Sequence, residues 1–204
     1  MASVFNIKAQ HQDVDSKLVA GLERLAQALR VLLWEQAQTQ GLSPIQVQFL
    51  VYLKNHAKRD SSVSHLAKTF DLTKATVSDA ISALEHKGYL KRHVSSEDKR
   101  AANLVLTRTG KSLAKELESW ADEVKKQLVK LPEERRLELM TSTMHLIASL
   151  QETGIINLTR LCYTCQFFQK GERDHFCKLL NVPLSQQDLR LDCPEHERIW
   201  KLQN

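Results

Sequence analysis

The chain has 204 residues, 42% of them hydrophobic, which suffices for one large domain or for one domain with an appendage. It contains no run of about 18 apolar residues and no signal-peptide pattern at its start, so we expect a cytoplasmic protein without a membrane span. Residues 54–111 hold twelve basic and six acidic residues and so have a net charge of +6. The whole chain has a net charge of +5, so the remaining residues together have a charge of −1. A concentrated basic surface suits a polyanion, although an ordinary solvated face would have the same composition.

The N-terminal region predicts an arm followed by a long helix. Residues 1–13 are expected to form a loose N-terminal arm, with Asp15 or Ser16 capping the next helix. Leucines then recur every three or four residues along residues 14–40, and Gly41 is a natural helix stop. This coiled-coil-like stripe suits either a core helix or a helix that meets a second subunit.

Residues 62–88 have the pattern of two short helices joined by a tight turn. Val77, Ile81 and Leu84 give the second helix a stripe at three- and four-residue spacing, and Thr73 is a good N-cap for it. Two short helices locked in this way form a helix-turn-helix, whose second helix can lie in the major groove of DNA.

The pattern changes from helical to alternating at residues 89–106, which predicts a two-stranded wing with a polar turn. Helical periodicity resumes over residues 107–154, where Leu131-Pro132 separates two long helices and Gly154 ends the second. These helices and the one at 14–40 offer more apolar surface than a small head can bury. We therefore expect both segments to be dimerisation helices.

Three short motifs carry a resemblance to a known family: Leu84–Arg92, Asp98–Ala101 and Leu104–Gly110. Together they resemble the MarR winged-helix regulators. The second motif is similar to that family's D-x-R-[SA] wing tip, and the third to the L-T-x-x-G pattern that opens its next helix. The resemblance covers about residues 14–154.

The resemblance implies a mainly α fold with a small two-stranded wing, in which a winged helix-turn-helix head sits on a helical dimerisation domain. It implies a transcriptional regulator, not an enzyme, that binds double-stranded DNA at a pseudo-palindromic operator as a homodimer. Repression is the commoner mode in the family. A small-molecule effector between head and dimer helices is also implied. Trp34, His56 and Trp120 could line such a crevice, but the favoured interpretation is that the tryptophans are core aromatics and His56 is a surface residue.

By the same resemblance, Arg100 enters the minor groove and Asp98 orients it. Contacts from the second helix fall on side chains that point away from its apolar stripe. The predicted DNA-binding residues are Lys74, Ala75, Thr76, Ser78, Asp79, Ser82, Arg92, Asp98, Lys99 and Arg100. Many family members carry a basic residue where this chain has Asp79, whose carboxylate suits a cytosine amino group and not a phosphate. The operator sequences of other family members therefore cannot be assigned to this protein.

Residues 155–204 lie outside the resemblance and hold all four cysteines. Cys162, Cys165, Cys177 and Cys193 are spaced C-x2-C-x11-C-x15-C. In a reducing compartment such a cluster favours metal or redox chemistry over structural disulfides. The C-x2-C pair lets two thiolates converge on one ion, and two further thiolates complete a tetrahedral set. We therefore expect a small metal-bound C-terminal extension, which either stabilises the fold or senses metal or redox state.

Several chemistries fit this cluster. Zinc is the first choice, because a closed four-sulfur site is its commonest structural use. An iron–sulfur cluster is the alternative, since Cys193-Pro194 is similar to the cysteine-proline that ends bacterial ferredoxin motifs. His175 and His196 lie near enough in sequence to act as substitute ligands. A thiol-redox enzyme that uses Cys162-x-x-Cys165 is the alternative function, but the surrounding sequence lacks the βαβ pattern expected of one.

Overall fold

The computed structural model describes residues 3–94, 102–157, 159–171 and 174–199. In these ranges the α-helices are α1 (Ile7–Gln12), α2 (Val14–Thr39), α3 (Pro44–Asn55), α4 (Val63–Thr69), α5 (Lys74–His86), α6 (Arg108–Leu117), α7 (Asp122–Leu128) and α8 (Glu133–Glu152). The strands are β1 (Leu90–Val94), β2 (Ala102–Leu106), β3 (Phe168–Gln169), β4 (His175–Cys177) and β5 (Val182–Leu184). No described helix is long and apolar enough to cross a membrane.

The predicted arm contains the short helix α1, because the side chain of Asn6 accepts hydrogen bonds from the backbone N–H groups that open it. The predicted N-cap of α2, Asp15 or Ser16, was wrong, because the helix begins two or three residues earlier. Asp13 has the extended backbone of an N-cap and accepts from the backbone N–H groups of Asp15 and Ser16, which already lie in the helix. The helix stops as predicted at Gly41, whose φ of +60° favours glycine.

The head has one apolar core to which α3, α4, α5, the wing and α6 all contribute. The side chains of Val77, Ile81 and Leu84 are fully buried in it, as the stripe on α5 predicted. Thr73 accepts a hydrogen bond of 3.1 Å from the backbone N–H of Thr76, so the predicted cap is confirmed. The predicted helix-turn-helix is therefore present.

The wing is antiparallel and begins directly after α5. Leu90 pairs with Leu106 in its register, and their side chains close the head core. The start of α6 passes so close to the wing that a Cβ at Gly110 would lie 1.8 Å from the carbonyl oxygen of Tyr89. The wing tip, with the predicted contacts Asp98, Lys99 and Arg100, lies outside the described residues.

The single long helix predicted after the wing is interrupted. A 3-10 turn at Glu118–Ala121 separates α6 from α7, so the prediction of one continuous helix was wrong. Glu118 accepts hydrogen bonds of 2.7 Å from both Lys54 and Asn55 at the end of α3. A 3-10 turn has three residues per turn instead of 3.6, and this change rotates the later part of the stripe out of the head core. Leu128 is accordingly 39% exposed.

Helix α2 has two different faces. Leu33 and Ala37 pack into the head core, whereas Leu18, Leu22 and Leu25 are 59%, 46% and 59% exposed. Among the residues that the structure describes, nothing covers this part of the coiled-coil-like stripe.

The C-terminal cysteine module, residues 155–199, folds around the three-stranded antiparallel sheet β3-β4-β5. Its small core contains Leu161, Leu184 and Leu189, which surround the fully buried Met144 of α8. One face of α8, which the sequence assigned to dimerisation, thus completes the core of the module.

Candidate nucleic-acid interface and cysteine site

Helix α5 presents its predicted contact residues away from the head core. Lys74, Ala75, Thr76 and Asp79 are exposed. Ser78 and Ser82 are half-buried at the edges of the same face. The helical spacing of the buried stripe forces this arrangement, since residues between the stripe positions lie on the opposite side. Their contacts with DNA stay a prediction.

The first wing strand is fastened to the same helix by Arg92. Its Nε donates to a Glu85 carboxylate oxygen at 2.8 Å, and its Nη2 donates to the Ser82 hydroxyl at 3.2 Å. The backbone N–H of Arg92 also donates to Glu85, at 3.1 Å. Two predicted DNA-binding residues, Ser82 and Arg92, therefore interact with each other and fix the angle between helix and wing.

All four cysteines line one small cavity of about 30 Å³. Cys162 and Cys165 are buried, and Cys177 and Cys193 are half-buried. The rest of the wall is largely apolar, with Phe167, Phe168, Leu179, Leu180 and Leu184. Residues separated by more than thirty positions in sequence are thus brought to a single place.

Nitrogen donors face two of the sulfur atoms. The backbone N–H of Arg190 donates to Sγ of Cys162 at 3.2 Å, and the guanidinium of Arg190 lies 3.7 Å from Sγ of Cys193. Burial raises the pKa of the Cys162 thiol, an effect that the Arg190 N–H opposes. A metal ion would shift this balance, because coordination displaces the thiol proton.

The cavity does not have the finished geometry of a single-ion site. Among the described residues, no three His, Cys, Asp or Glu side chains are arranged closely enough to hold a metal ion. The two histidines proposed as substitute ligands are engaged elsewhere: His196 lies 3.0 Å from the Thr164 hydroxyl, and His175 accepts from the backbone N–H of Gly171 at 3.3 Å. The four thiols therefore line the cavity without these histidines, and the carboxylates of Asp188 and Glu195 lie at its wall.

The module contacts the head through charged pairs that the sequence pattern did not indicate. Arg160 donates to Asp60 at 2.7 Å, and its Nε lies 3.2 Å from a carboxylate oxygen of Asp192 in a second ion pair. Asp192 accepts a hydrogen bond of 2.5 Å from His56. The guanidinium of Arg59 donates to the carbonyl oxygen of Pro194. His56 and Asp192 are 136 positions apart, and no local periodicity signals a pairing at that distance.

The electrostatics of this contact favour the charged forms of both partners. Burial opposes the charge on His56, but hydrogen bonds to the Asp192 carboxylate and the Tyr52 carbonyl outweigh it and raise the pKa of His56. The hydrogen bond from His56 lowers the pKa of Asp192. Burial likewise opposes the charge on Arg160, and Asp60 outweighs it, so that the pKa of Arg160 is raised.

The three side chains considered for an effector crevice have separate surroundings. His56 stacks on Tyr52 and pairs with Asp192. Trp120 packs at the edge of the head core and borders a surface crevice, while Trp34 is 54% exposed. They do not form a common pocket, and the effector stays an expectation.

A MarR family model matches residues 40–101, which span α3, both helices of the helix-turn-helix and the first wing strand. The chain is also similar to the HTH-type transcriptional repressor YetL of Bacillus subtilis. The two are 29% identical over 103 residues, which cover 45% of this chain and 62% of that repressor. The match thus spans somewhat less than two thirds of the relative.

Solved structures extend the likeness to about two thirds of the chain. MepR of S. aureus in complex with DNA is 25% identical with a TM-score of 0.58, over 65% of this chain and 97% of that one. MepR in its DNA-binding conformation is 26% identical with a TM-score of 0.59, over 66% of this chain and 98% of that one. A MarR transcriptional regulator from Methanosarcina mazei Go1 has the same fold, with 20% identity and a TM-score of 0.58 over 67% of this chain and 97% of its own.

These relatives are regulators and not enzymes, and the alternative of a thiol-redox enzyme is not supported. The module's sheet is antiparallel and lacks the parallel strands of a βαβ unit within the described residues. Residues 40–101 therefore resemble the MarR family in sequence, and about two thirds of the chain shares the fold of its solved winged helix-turn-helix regulators.

Proposed function

We propose that this protein is a transcriptional regulator that binds a pseudo-palindromic DNA operator as a homodimer. The outward face of α5 carries the proposal: Lys74, Thr76 and Asp79 are exposed above a fully buried stripe, in the part of the chain with the excess of positive charge. The similar MepR is described in a complex with DNA, and the similar YetL is named a repressor. Repression, at a chromosomal site in the cytoplasm, is the mode that we propose.

The uncovered stripe of α2 supports the dimer. Leu18, Leu22 and Leu25 are exposed in a single chain, and apolar surface gains about 25 cal/mol for each Å² removed from water. A second copy with the same stripe would cover it. A two-fold dimer places two recognition helices on half-sites about one helical turn apart, which is why the operator is expected to be pseudo-palindromic.

Titration of fluorescent genomic duplexes at several salt concentrations tests the proposal. The variant Lys74→Ala with Arg100→Ala removes one charge from α5 and one from the wing tip. We expect its affinity to fall about 100-fold and its salt dependence to weaken by about two counterions, since each charge neutralises about one phosphate.

A matched control removes two charges elsewhere. Lys125→Ala with Lys126→Ala changes two exposed residues of α7 and should leave DNA affinity within about twofold of the wild type. Absence of binding to every fragment, or affinity that does not depend on salt, would contradict the proposal.

We further propose that Cys162, Cys165, Cys177 and Cys193 bind a metal, with zinc as first choice and an iron–sulfur cluster as alternative. Their shared cavity and the N–H donor toward Cys162 support a thiolate site. Elemental analysis and the absorption spectrum of anaerobically purified protein distinguish the two metals. Colourless protein with one zinc per chain supports zinc, and broad visible bands support the cluster. Protein without either metal contradicts the site.

A further inference from the structure

The cysteine module lies between two parts of the protein and contacts both. On one side it holds α8: Met144 is fully buried against Leu161, and the ring of Tyr163 stacks on His145 with centroids 4.2 Å apart. The contact of Met144 with Leu161 is shielded from water, whereas His145 is exposed and Tyr163 half-buried. The module and α8 therefore form one packed unit.

On its other side the module holds the head through an ion-pair network. The side chains of Arg160 and Asp60 are only 12% and 13% exposed, so this pair is shielded from solvent screening. Arg160 also contacts Asp192, which pairs with His56 at the end of α3. Removal of Arg160 would leave the largely buried charge of Asp60 without compensation, whereas Asp192, whose side chain is 47% exposed, keeps its contact with water.

A third contact reaches the turn that precedes the recognition helix. The backbone N–H and the side-chain amide of Asn157 both donate to a carboxylate oxygen of Asp71, at 2.9 and 2.5 Å. Asp71 joins α4 to α5 and has a φ of +51°, a backbone conformation that few non-glycine residues adopt. A module residue thus contacts the turn on which the orientation of α5 depends.

The network is continuous with the cysteine site through Cys193. Its backbone N–H donates to the carbonyl of Arg160 at 2.9 Å, and the guanidinium of Arg160 donates to the carbonyl of Cys193 at 3.0 Å. Asp192 is the neighbouring residue in the chain. Displacement of Cys193 toward or away from a ligand therefore moves both Arg160 and Asp192 against the head.

From Asp192 the contacts continue into the helix-turn-helix. His56 stacks on Tyr52 with ring centroids 3.6 Å apart, and the Tyr52 hydroxyl shares a hydrogen bond of 2.9 Å with His65 of α4. A crevice of about 280 Å³, bordered by Tyr52, Ile147 and Leu191, separates head, α8 and module. The three parts are therefore not packed solidly together, and a rearrangement of the ion pairs has room to change their positions.

We propose that the cysteine module is a built-in effector: a metal held by the four cysteines sets the position of the head relative to α8 and thereby the affinity for DNA. The inference rests on the proposed function, and it adds to that function the means by which DNA binding is controlled. The two network residues Arg160 and Asp192 transmit the change. Couplings between two sites of one protein commonly amount to 5- to 150-fold in affinity.

The test compares the full chain in two states, metal-loaded and stripped by a chelator. Loading uses Zn²⁺ or, anaerobically, Fe²⁺ with sulfide, according to the metal found in the purified protein. We expect the affinity of the wild type for one operator duplex to differ at least tenfold between the states. In Arg160→Gln the difference should fall below twofold, while the metal content stays that of the wild type.

Arg198→Gln is the matched control, because it removes the same charge from an exposed position of the module. It should respond to loading as the wild type does. Asp192→Asn is the second network variant, and its circular dichroism shows whether the fold is retained. Equal affinity of the loaded and stripped wild type overturns the inference, as does a full response in both network variants.

Hydrogen exchange separates this inference from the proposed function. Loading should change the exchange rates of the amides in α4, the following turn and α5 in the wild type but not in Arg160→Gln. A change there in a protein that binds no DNA would refute the proposed function and support the coupling. Unchanged exchange in a protein that binds DNA would refute the coupling alone.

Discussion

The head and the cysteine module are built on different principles. Among the described residues, the head core has eighteen buried residues, nearly all of them placed by regular helix or strand periodicity. The module's cluster has five described members, and one of these, Met144, comes from α8. The head can therefore order itself by burial of apolar surface, whereas the module depends on neighbours, on ion pairs and on its cysteine site. We therefore expect the head to keep its fold when the module is perturbed.

Substitutions that create a cavity in one core or the other should have the largest effects and test the contrast between head and module most strongly. Ile81→Ala leaves a gap in the fully buried stripe of α5 and should lower the free energy of unfolding of the head by about 2–5 kcal/mol. Met144→Ala should instead release the module while the head keeps its stability. Urea unfolding, followed by circular dichroism and limited proteolysis, measures both. Equal loss of head stability in the two variants would show that the regions form one cooperative unit.

Substitutions at two glycines test how closely α6 approaches the wing. A Cβ at Gly110 would lie 1.8 Å from a backbone oxygen, so Gly110→Ala must displace the wing from α6 and should cost about 1–3 kcal/mol. Gly21 lies within α2 with open space around it, and Gly21→Ala should stabilise the helix by about 0.5–1 kcal/mol. Thermal unfolding of both variants should show shifts of opposite sign. A Gly110→Ala variant as stable as the wild type would be inconsistent with the close approach.

Loss of one cysteine should loosen the module alone. Cys177→Ser removes a sulfur atom from the shared cavity, and we expect proteolytic cleavage within residues 155–199 to accelerate about tenfold, equivalent to about 1.4 kcal/mol of local stability. Cleavage between α3 and α6 should keep its wild-type rate. Removal of metal from the wild type should have the same effect. If both regions lose resistance equally, the module is not an independent site.

The smallest effect is expected at the joint between recognition helix and wing. Arg92→Ala removes the contacts with Glu85 and Ser82, which are partly exposed, so stability should fall by no more than about 1 kcal/mol. Glu85→Ala removes the same ion pair without removing a positive charge. Comparison of the DNA affinities of the two variants shows whether Arg92 only positions the wing or also contacts DNA directly. An identical decrease in both variants would indicate that Arg92 only positions the wing.

Most of the head could be predicted from the sequence, because its signals are local. The stripe of Val77, Ile81 and Leu84, the cap at Thr73 and the stop at Gly41 depend only on neighbours within a turn or two of helix. The interruption at Glu118–Ala121 was missed, since it accompanies hydrogen bonds to α3 that join residues more than sixty positions apart. The four cysteines line one cavity, and the metal expected on them stays a prediction.

The docking of the module could not be predicted in the same way. Arg160, Asp60 and Asp192 are ordinary charged residues in polar stretches, and only the folded chain brings them together. His56 was noted as a residue for a crevice or a surface, and the partner that defines its role lies in the module. The apolar face of α8 was recognised but assigned to a second subunit, because periodicity shows that a face is buried and not what covers it.

Titration of one operator duplex with the full chain, first metal-loaded and then stripped, tests the central claim most directly. The account predicts salt-dependent binding in at least one state and affinities that differ at least tenfold between the two, with the difference lost in Arg160→Gln. Affinities within twofold of each other, or a response that Arg160→Gln retains, would contradict it.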